Sequence, residues 1–312
     1  MKKALITGIT GQDGSYMAEL LLEKGYRVVG TTRGSDAPLF GERIEFVNWD
    51  MMDAADLSSI LSEHRPDEFY NFAAYSSGSG MFDDPVGIGE INGLAVARIL
   101  EAIRQVDPGI RFCQASSREI FGEAKESPQS EKTPANPRSP YGAAKHYADN
   151  MVRIYRAHHG IFAASAILFN HESPRRGTGF VTRKITREAA KIKAGLSSKV
   201  RLGNLETRRD WGFAGDYVRG MWMMMQQTEA QDFVFATGKT HTVREFCEAA
   251  FGCLDLDYRE YVHEDSSAYR PSEPFELVGD ASKAKHVLGW EPRKNFGELV
   301  EMMVEADLRE IA

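Results

Sequence analysis

The first 30 residues leave little freedom in the choice of fold. Ala4-Leu5-Ile6-Thr7 is a short apolar run that stops at Gly8, and Tyr16 to Leu22 has helical apolar spacing that ends at Lys24-Gly25. Tyr26-Arg27-Val28-Val29-Gly30 then reads as a strand. Strand, glycine turn, helix and strand make a βαβ unit, whose right-handed crossover sets both strands parallel in one sheet. The alternation continues with strands at Ile44 to Val47, Glu68 to Phe72 and Arg111 to Ala115, and helices near Ala54 to Glu63 and Asn92 to Val106. This predicts an α/β fold built on a doubly wound parallel sheet of the Rossmann type.

From about Phe169 the pattern loosens around Pro174, Gly177, Gly179, the segment Glu206 to Asp210 and the proline-bearing stretch Tyr269 to Pro274. Helices expected at Val218 to Gln227 and Phe296 to Arg309 stand among irregular pieces. The expected division is a nucleotide-binding domain over 1–168 and a smaller, interleaved substrate lobe over 169–312, with segments that return to the first domain. At 312 residues, 42% hydrophobic and 27% charged, the chain has the composition of a folded globular protein. A net charge of −7 with no basic tract argues against nucleic acid as a partner. Cys113, Cys247 and Cys253 lack metal-ligand spacing, so reduced thiols and no metal site are expected. Apolar stretches are of strand length and Met1-Lys2-Lys3 runs into a strand, which predicts a cytoplasmic protein with no membrane partner.

Gly8-Ile9-Thr10-Gly11-Gln12-Asp13-Gly14 follows the first strand and opens the first helix. Glycines in that setting let backbone N–H groups approach a pyrophosphate, although the same turn can serve helix packing alone. At the end of the second strand stands Arg33, with no carboxylate from Thr31 to Ser35. Arginine suits a 2′-phosphate and an acidic residue suits a ribose hydroxyl, so NADP is expected over NAD. The competing arrangement has Arg33 in solvent and Asp36 on the ribose. Asp50-Met51 is a candidate adenine contact, or Asp50 is a cap.

Tyr141-Gly142-Ala143-Ala144-Lys145 puts a phenol and an ammonium on one helix face a turn apart, and a nearby ammonium stabilises phenolate. Tyrosine ionises near a pKa of about 10 and needs such help to act as a base near neutrality. Taken alone, the spacing also fits a surface pair. Ser117-Arg118-Glu119 follows the strand ending at Ala115, on the carboxyl edge where such sheets bind ligands. With the glycine turn, these residues resemble the extended short-chain dehydrogenase/reductases over essentially the whole chain. Gly8 to Tyr16, Pro137 to Lys145, Leu168 to Gly177, Phe180 to Lys184 and Arg209 to Gly212 are, in order, similar to GDP-mannose 4,6-dehydratases.

The resemblance implies that GDP-mannose loses water through an internal redox reaction. It assigns Tyr141 as the base on the C4 hydroxyl, Ser117 as its hydrogen-bonding partner, Lys145 as support and Glu119 as the acid/base group at C5 and C6. It places NADP against Gly8, Gly11, Gln12, Asp13, Gly14, Arg33, Asp50, Met51, Phe72, Ala73, Ala74, Tyr141, Lys145 and His171. The GDP-sugar would meet Asn170, Lys184, Arg209, Arg270 and Glu273. Cations there suit a diphosphate. Read without the family, Arg209 pairs with Asp210 and His171 is a packed core histidine.

Three departures qualify the likeness. Ser117-Arg118-Glu119 stands where the family has Thr-Ser-Glu, which brings a cation beside the sugar unless Arg118 turns into packing or to the surface. The glycines of the loop Tyr75 to Met81 leave room over the hexose, so a larger sugar such as a heptose is an alternative. Arg33 to Gly41 is shorter than the dehydratase segment and more similar to that of GDP-4-keto-6-deoxymannose reductases. A homo-oligomer is implied, with a dimer favoured over a tetramer by that short segment. The competing functions are an NADPH-dependent reductase of the 4-keto sugar and a nucleotide-sugar-binding subunit without catalysis.

Overall fold

The first half of the chain lays down β1 (Lys3–Thr7), α1 (Gln12–Glu23), β2 (Arg27–Thr32), β3 (Glu45–Asn48), α2 (Ala54–His64), β4 (Glu68–Asn71), α3 (Pro85–Gly89), α4 (Ala95–Val106), β5 (Arg111–Ala115), α5 (Pro140–His159) and β6 (Ala163–Leu168). The second half adds β7 (Asn170–Glu172), α6 (Val181–Lys193), β8 (Val200–Leu202), β9 (Arg208–Arg209), β10 (Trp211–Phe213), α7 (Ala214–Met225), β11 (Phe233–Phe235), β12 (His241–Thr242), α8 (Val243–Gly252), β13 (Val262–Glu264) and α9 (Phe296–Ile311). These come from a computed structural model that describes residues 1–34, 41–75, 82–265 and 276–311.

Seven strands form one parallel sheet in the order β11-β6-β5-β4-β1-β2-β3. The order reverses between β1 and β4, which opens a crevice at the carboxyl ends of those strands. The central strands carry apolar residues on both faces because helices cover both. On one side α1 and α7 pack Met17, Leu21, Met221 and Met225 against Ile6, Tyr70 and Phe235. On the other, α2, α4 and α5 bury Leu57, Ile99 and Val152 against Leu5, Phe69 and Phe112. A third core, with Ile185, Trp211, Phe246, Leu299 and Met303, joins α6, α8 and α9 in a smaller lobe.

Two features differ from the sequence expectation. The helix expected from Asn92 is regular only from Ala95, after a wider π-type turn at Glu90–Leu94. The buried Asn92 amide is used there on the backbone of Tyr75, accepting from its N–H at 2.8 Å and donating to its carbonyl at 3.1 Å. The other difference is β11, three residues too short to read as a strand, which extends the main sheet beside β6. Among the described residues no helix is long and apolar enough to cross a membrane. All three cysteines are free, Cys113 and Cys247 buried and Cys253 exposed.

Trp290 fastens the second half of the chain to the first core. Its ring is fully buried, edge-on to Phe235 at 4.9 Å and to Tyr217 at 5.8 Å, and Nε1 donates to the Asp216 carbonyl at 2.8 Å. Trp290→Ala leaves a cavity and removes the indole hydrogen bond, and equilibrium unfolding in urea is expected to show a loss of about 3–5 kcal/mol.

Candidate active site

A line of buried amides and hydroxyls crosses the carboxyl ends of β1, β4 and β5. Thr7 Oγ1 donates to Asn71 Oδ1 at 2.6 Å and accepts from the N–H groups of Phe72 (3.1 Å) and Ala73 (3.0 Å). Asn71 donates to Gln114 Oε1 at 2.7 Å, and Gln114 donates to the Ala115 carbonyl at 2.8 Å. That same carbonyl accepts from Lys145 Nζ at 2.8 Å. Buried polar groups are costly when unpaired, so this continuous chain sets the strand ends and the ammonium in one fixed frame.

Between β1 and α1 the Gly8 carbonyl accepts the Gly11 N–H at 2.9 Å, and Gly11 is the N-cap of α1 without any side-chain cap. A Cβ on Gly14 would overlap the Gly8 carbonyl oxygen, so only glycine lets the helix start this close to the strand. The first-turn N–H groups of α1 are thereby left directed into the crevice. Gln12 donates to the His171 carbonyl at 3.1 Å and accepts from Ser173 Oγ at 2.8 Å, which ties this turn to β7.

Asp13 and His171, 158 positions apart, meet with Oδ2 2.9 Å from Nε2. Burial disfavours the imidazolium, but the Asp13 charge and hydrogen bond outweigh it, so His171 is raised above its ordinary value. Burial would likewise raise Asp13; His171, then Arg176, outweigh it and leave the carboxyl below the usual range. The imidazole also stacks on Tyr217 at 4.9 Å, so His171 is both a packed histidine and a wall of the site.

After β5, Ser117 caps a 3₁₀ turn at Arg118–Ile120 by accepting the Glu119 N–H at 3.2 Å. Helix α5 begins against that turn, capped by Ser139 Oγ on the Gly142 N–H at 3.0 Å and with Pro140 in its first turn. A Cβ on Gly142 would overlap the Glu119 carbonyl oxygen. The glycine thus brings Tyr141 up to Ser117 and Glu119. Burial pushes the Tyr141 phenol up to about 12, opposed by the hydrogen bond with Ser117 and reinforced by the Glu119 charge. Lys145 Nζ lies 5.8 Å from the Tyr141 ring centre, and burial pulls its ammonium down to about 8.

Ser117, Glu119, Tyr141, Lys145, Asp13, Phe72, Ala74, Asn170 and His171 line one cavity of about 150 Å³. Asn170 Oδ1 is buried there with no hydrogen-bond partner among the described residues, an acceptor left for a ligand. Arg118, weighed as a packing or surface residue, is neither exposed nor remote: it lines the cavity with Nη2 2.9 Å from Glu119 Oε1. Arg176 also lines it, paired with Glu172 at 3.2 Å and stacked on Phe180 at 3.5 Å. Sequence reasoning passed over Arg176, although it lies inside the word Leu168 to Gly177.

Other residues singled out from the sequence lie outside that cavity. Arg33 is exposed at the end of β2. Asp50 accepts the Met52 N–H at 2.9 Å in the turn after β3, while buried Met51 faces the core. Lys184 reaches the Arg201 carbonyl at 2.6 Å in the second lobe. Arg209 donates to the Arg208 carbonyl at 2.6 Å. The Asp210 carboxylate is used on the backbone of Thr237, Gly238 and Gly279 at 2.9–3.2 Å. Asp36, Ser76 to Met81, Arg270 and Glu273 lie outside the described residues.

A doubly wound sheet with a serine, a tyrosine and a lysine gathered at its carboxyl edge defines an extended short-chain dehydrogenase/reductase of the nucleotide-sugar epimerase and dehydratase class. The family profile described as GDP-mannose 4,6 dehydratase matches residues 5–303. GDP-mannose 4,6 dehydratase 2 of Arabidopsis thaliana is 48% identical over 326 residues, covering 98% of this chain and 87% of the relative. The chain belongs to the GDP-mannose 4,6-dehydratase family. Among solved structures, the UDP-glucose 4-epimerase of Thermus thermophilus in complex with NAD is 26% identical, covers 98% of each chain and superposes with a TM-score of 0.84. RMD of Pseudomonas aeruginosa complexed with NADPH, at 20% identity, 99% and 98% coverage and a TM-score of 0.85, shares the fold. Nicotinamide dinucleotides of both kinds are thus bound by structural relatives.

The Asp13–His171 pair makes a pH-dependent contribution to stability. The raised His171 stabilises the fold below its unfolded pKa of about 6.5 and ceases to do so as pH rises through its folded value; the lowered Asp13 stabilises above about 3.9 and ceases as pH falls. Asp13→Asn is expected to bring the His171 ring titration, followed by NMR, below its ordinary value. The stability gap between wild type and this variant should be widest between about pH 4 and 6.5.

Proposed function

We propose that the chain is a lyase that converts GDP-D-mannose to GDP-4-keto-6-deoxy-D-mannose and water, with NADP retained through the cycle. The observation that carries this reading is the convergence of Ser117, Glu119, Tyr141 and Lys145 on one cavity, in a chain that belongs to this family over residues 5–303. A reductase needs only Ser117, Tyr141 and Lys145 with NADPH; Glu119 favours the lyase, although related reductases also carry a glutamate at this position.

The crevice fits a dinucleotide. Gly8, Gly11 and Gly14 with the uncapped start of α1 would hold the pyrophosphate, and Phe72, Ala73, Ala74, Lys145 and His171 the nicotinamide end. Met51 and Asp50 would lie toward the adenine, and Arg33 toward the 2′-phosphate. A nicotinamide held there would supply a reversible hydride acceptor for C4 and C6 of the sugar.

Tyr141 Oη takes the C4 hydroxyl proton, and Ser117 Oγ hydrogen-bonds the same oxygen and opposes the burial that otherwise holds the phenol protonated. With C4 a ketone, the C5 proton becomes acidic. Glu119 removes it and delivers a proton to the C6 oxygen, which leaves as water. Arg118 Nη2, 2.9 Å from Glu119 Oε1, holds that side chain in the cavity. C5 then regains a proton, equivalent to the one Tyr141 holds, so the net change is loss of one water. Asn170 would accept from a sugar hydroxyl, and Lys184, Arg209, Arg270 and Glu273 would contact the GDP-sugar, the cations at its diphosphate. The reading takes residues 1–168 as cofactor domain and 169–312 as mainly substrate lobe, within a cytoplasmic homo-oligomer, dimer or tetramer.

Incubation with GDP-mannose and no added reductant should yield a 4-keto-6-deoxy product by NMR; unchanged substrate would move the assignment to the reductase. Tyr141→Phe should lower turnover by roughly two or more orders of magnitude with cofactor binding intact. In Glu119→Gln, reduced nicotinamide absorbance should build up without product. Arg33→Ala should weaken NADP in calorimetric titration and leave NAD affinity nearly unchanged, since charge-assisted phosphate contacts are roughly twice as strong as neutral ones. Equal loss of both would take the 2′-phosphate away from Arg33.

A further inference from the structure

Lys145 is buried, and a buried ammonium is stable as a charge only beside an anion. Its hydrogen bond goes to a neutral carbonyl, that of Ala115. Among the charges that act on it, Asp149 stands first and Asp13 second, and Asp13 is already committed to His171 at 2.9 Å. Asp149 lies one turn beyond Lys145 on α5, so the two share a helix face. Its Oδ2 accepts from Ser116 Oγ at 2.5 Å, one residue before Ser117, while Oδ1 is buried without a hydrogen-bond partner among the described residues.

Ser116 and Lys145 line the catalytic cavity, and Asp149 lines a neighbouring cavity of about 830 Å³. Charged groups around Asp149 are Lys145, His146 and Arg153 of α5, Asp232 in its 2.7 Å pair with Arg156, and Glu131, Lys132, Asp280 and Lys283 from the segments that close this second cavity. The arginines, Lys132, Lys145 and Lys283 favour the Asp149 anion; Asp232, Glu131 and Asp280 oppose it.

We infer that Asp149 is a positioning residue for the reaction: one turn along α5 it supplies the counter-charge that keeps Lys145 an ammonium, and its hydrogen bond with Ser116 anchors that counter-charge to the turn carrying Ser117 and Glu119. The role belongs to the same site and rests on the function proposed above. Burial pushes the Asp149 carboxyl up to about 7, partly offset by the Ser116 hydrogen bond, so the counter-charge itself answers to pH in the physiological range. Acidification would first neutralise Asp149 and thereby weaken the hold on Lys145.

The test compares wild type, Asp149→Asn and Asp149→Glu. Asparagine keeps an acceptor for Ser116 and removes only the charge; glutamate restores it. Competitive acetylation of the unliganded protein with acetic anhydride, read at Lys145 by mass spectrometry across pH, reports the lysine's charge without depending on any substrate. The half-labelling pH of Lys145 should fall by about one unit in Asp149→Asn and recover in Asp149→Glu. An unchanged labelling profile in Asp149→Asn overturns the inference. In turnover of GDP-mannose, the alkaline limb of the pH profile should move down by the same amount in Asp149→Asn. A uniform drop at every pH, with the limb in place, would reduce Asp149 to a structural residue and overturn it as well. If wild type leaves GDP-mannose unchanged, the function proposed above fails and the labelling result still decides the role of Asp149.

Discussion

The site depends on keeping one positive charge inside the protein. Lys145 sits at the end of the polar line from Thr7 through Asn71 and Gln114 to the Ala115 carbonyl, at the place where three parallel strands end. A lone ammonium in such surroundings loses its proton readily, as the downward pull of burial on Lys145 shows. The sheet therefore does more than carry α5: its strand ends supply the acceptor, and the turn after β5 supplies Ser116, Ser117 and Glu119 around it. Gly142 completes the arrangement by letting α5 begin in contact with that turn.

Much of this was legible from residue spacing. Strands β1, β2, β4 and β5 are apolar because helices cover both faces, and each is set off by a helical segment, so the doubly wound sheet follows from pattern alone. The positions of Tyr141, Lys145 and Ser117 follow from one helix turn and one strand end. The π-type turn at Glu90–Leu94 was not legible, because its cause is tertiary: the Asn92 amide is used on Tyr75. Strand β11 is set by pairing with β6, a contact no three-residue word can announce.

Long-range electrostatics were hidden for the same reason. Nothing in the neighbourhood of Asp13 points to His171, and neither Ser116 nor Asp149 looks special beside its sequence neighbours. Arg118 read as an intruder next to Glu119; folded, it is that glutamate's partner. The sequence-based pairing of Arg209 with Asp210 gives way because three backbone N–H groups take up the Asp210 carboxylate. Side-chain type and order suggested the chemistry, whereas charge pairing required the fold.

The central claim is that oxidation and reduction are two halves of one internal cycle at this cavity. GDP-mannose carrying deuterium at C4, turned over in ordinary water with excess unlabelled NADP and no reductant, tests it most directly. The expected result is a 4-keto-6-deoxy product with the deuterium at C6. Deuterium recovered in the free nucleotide pool, or a product without label at C6, would contradict it.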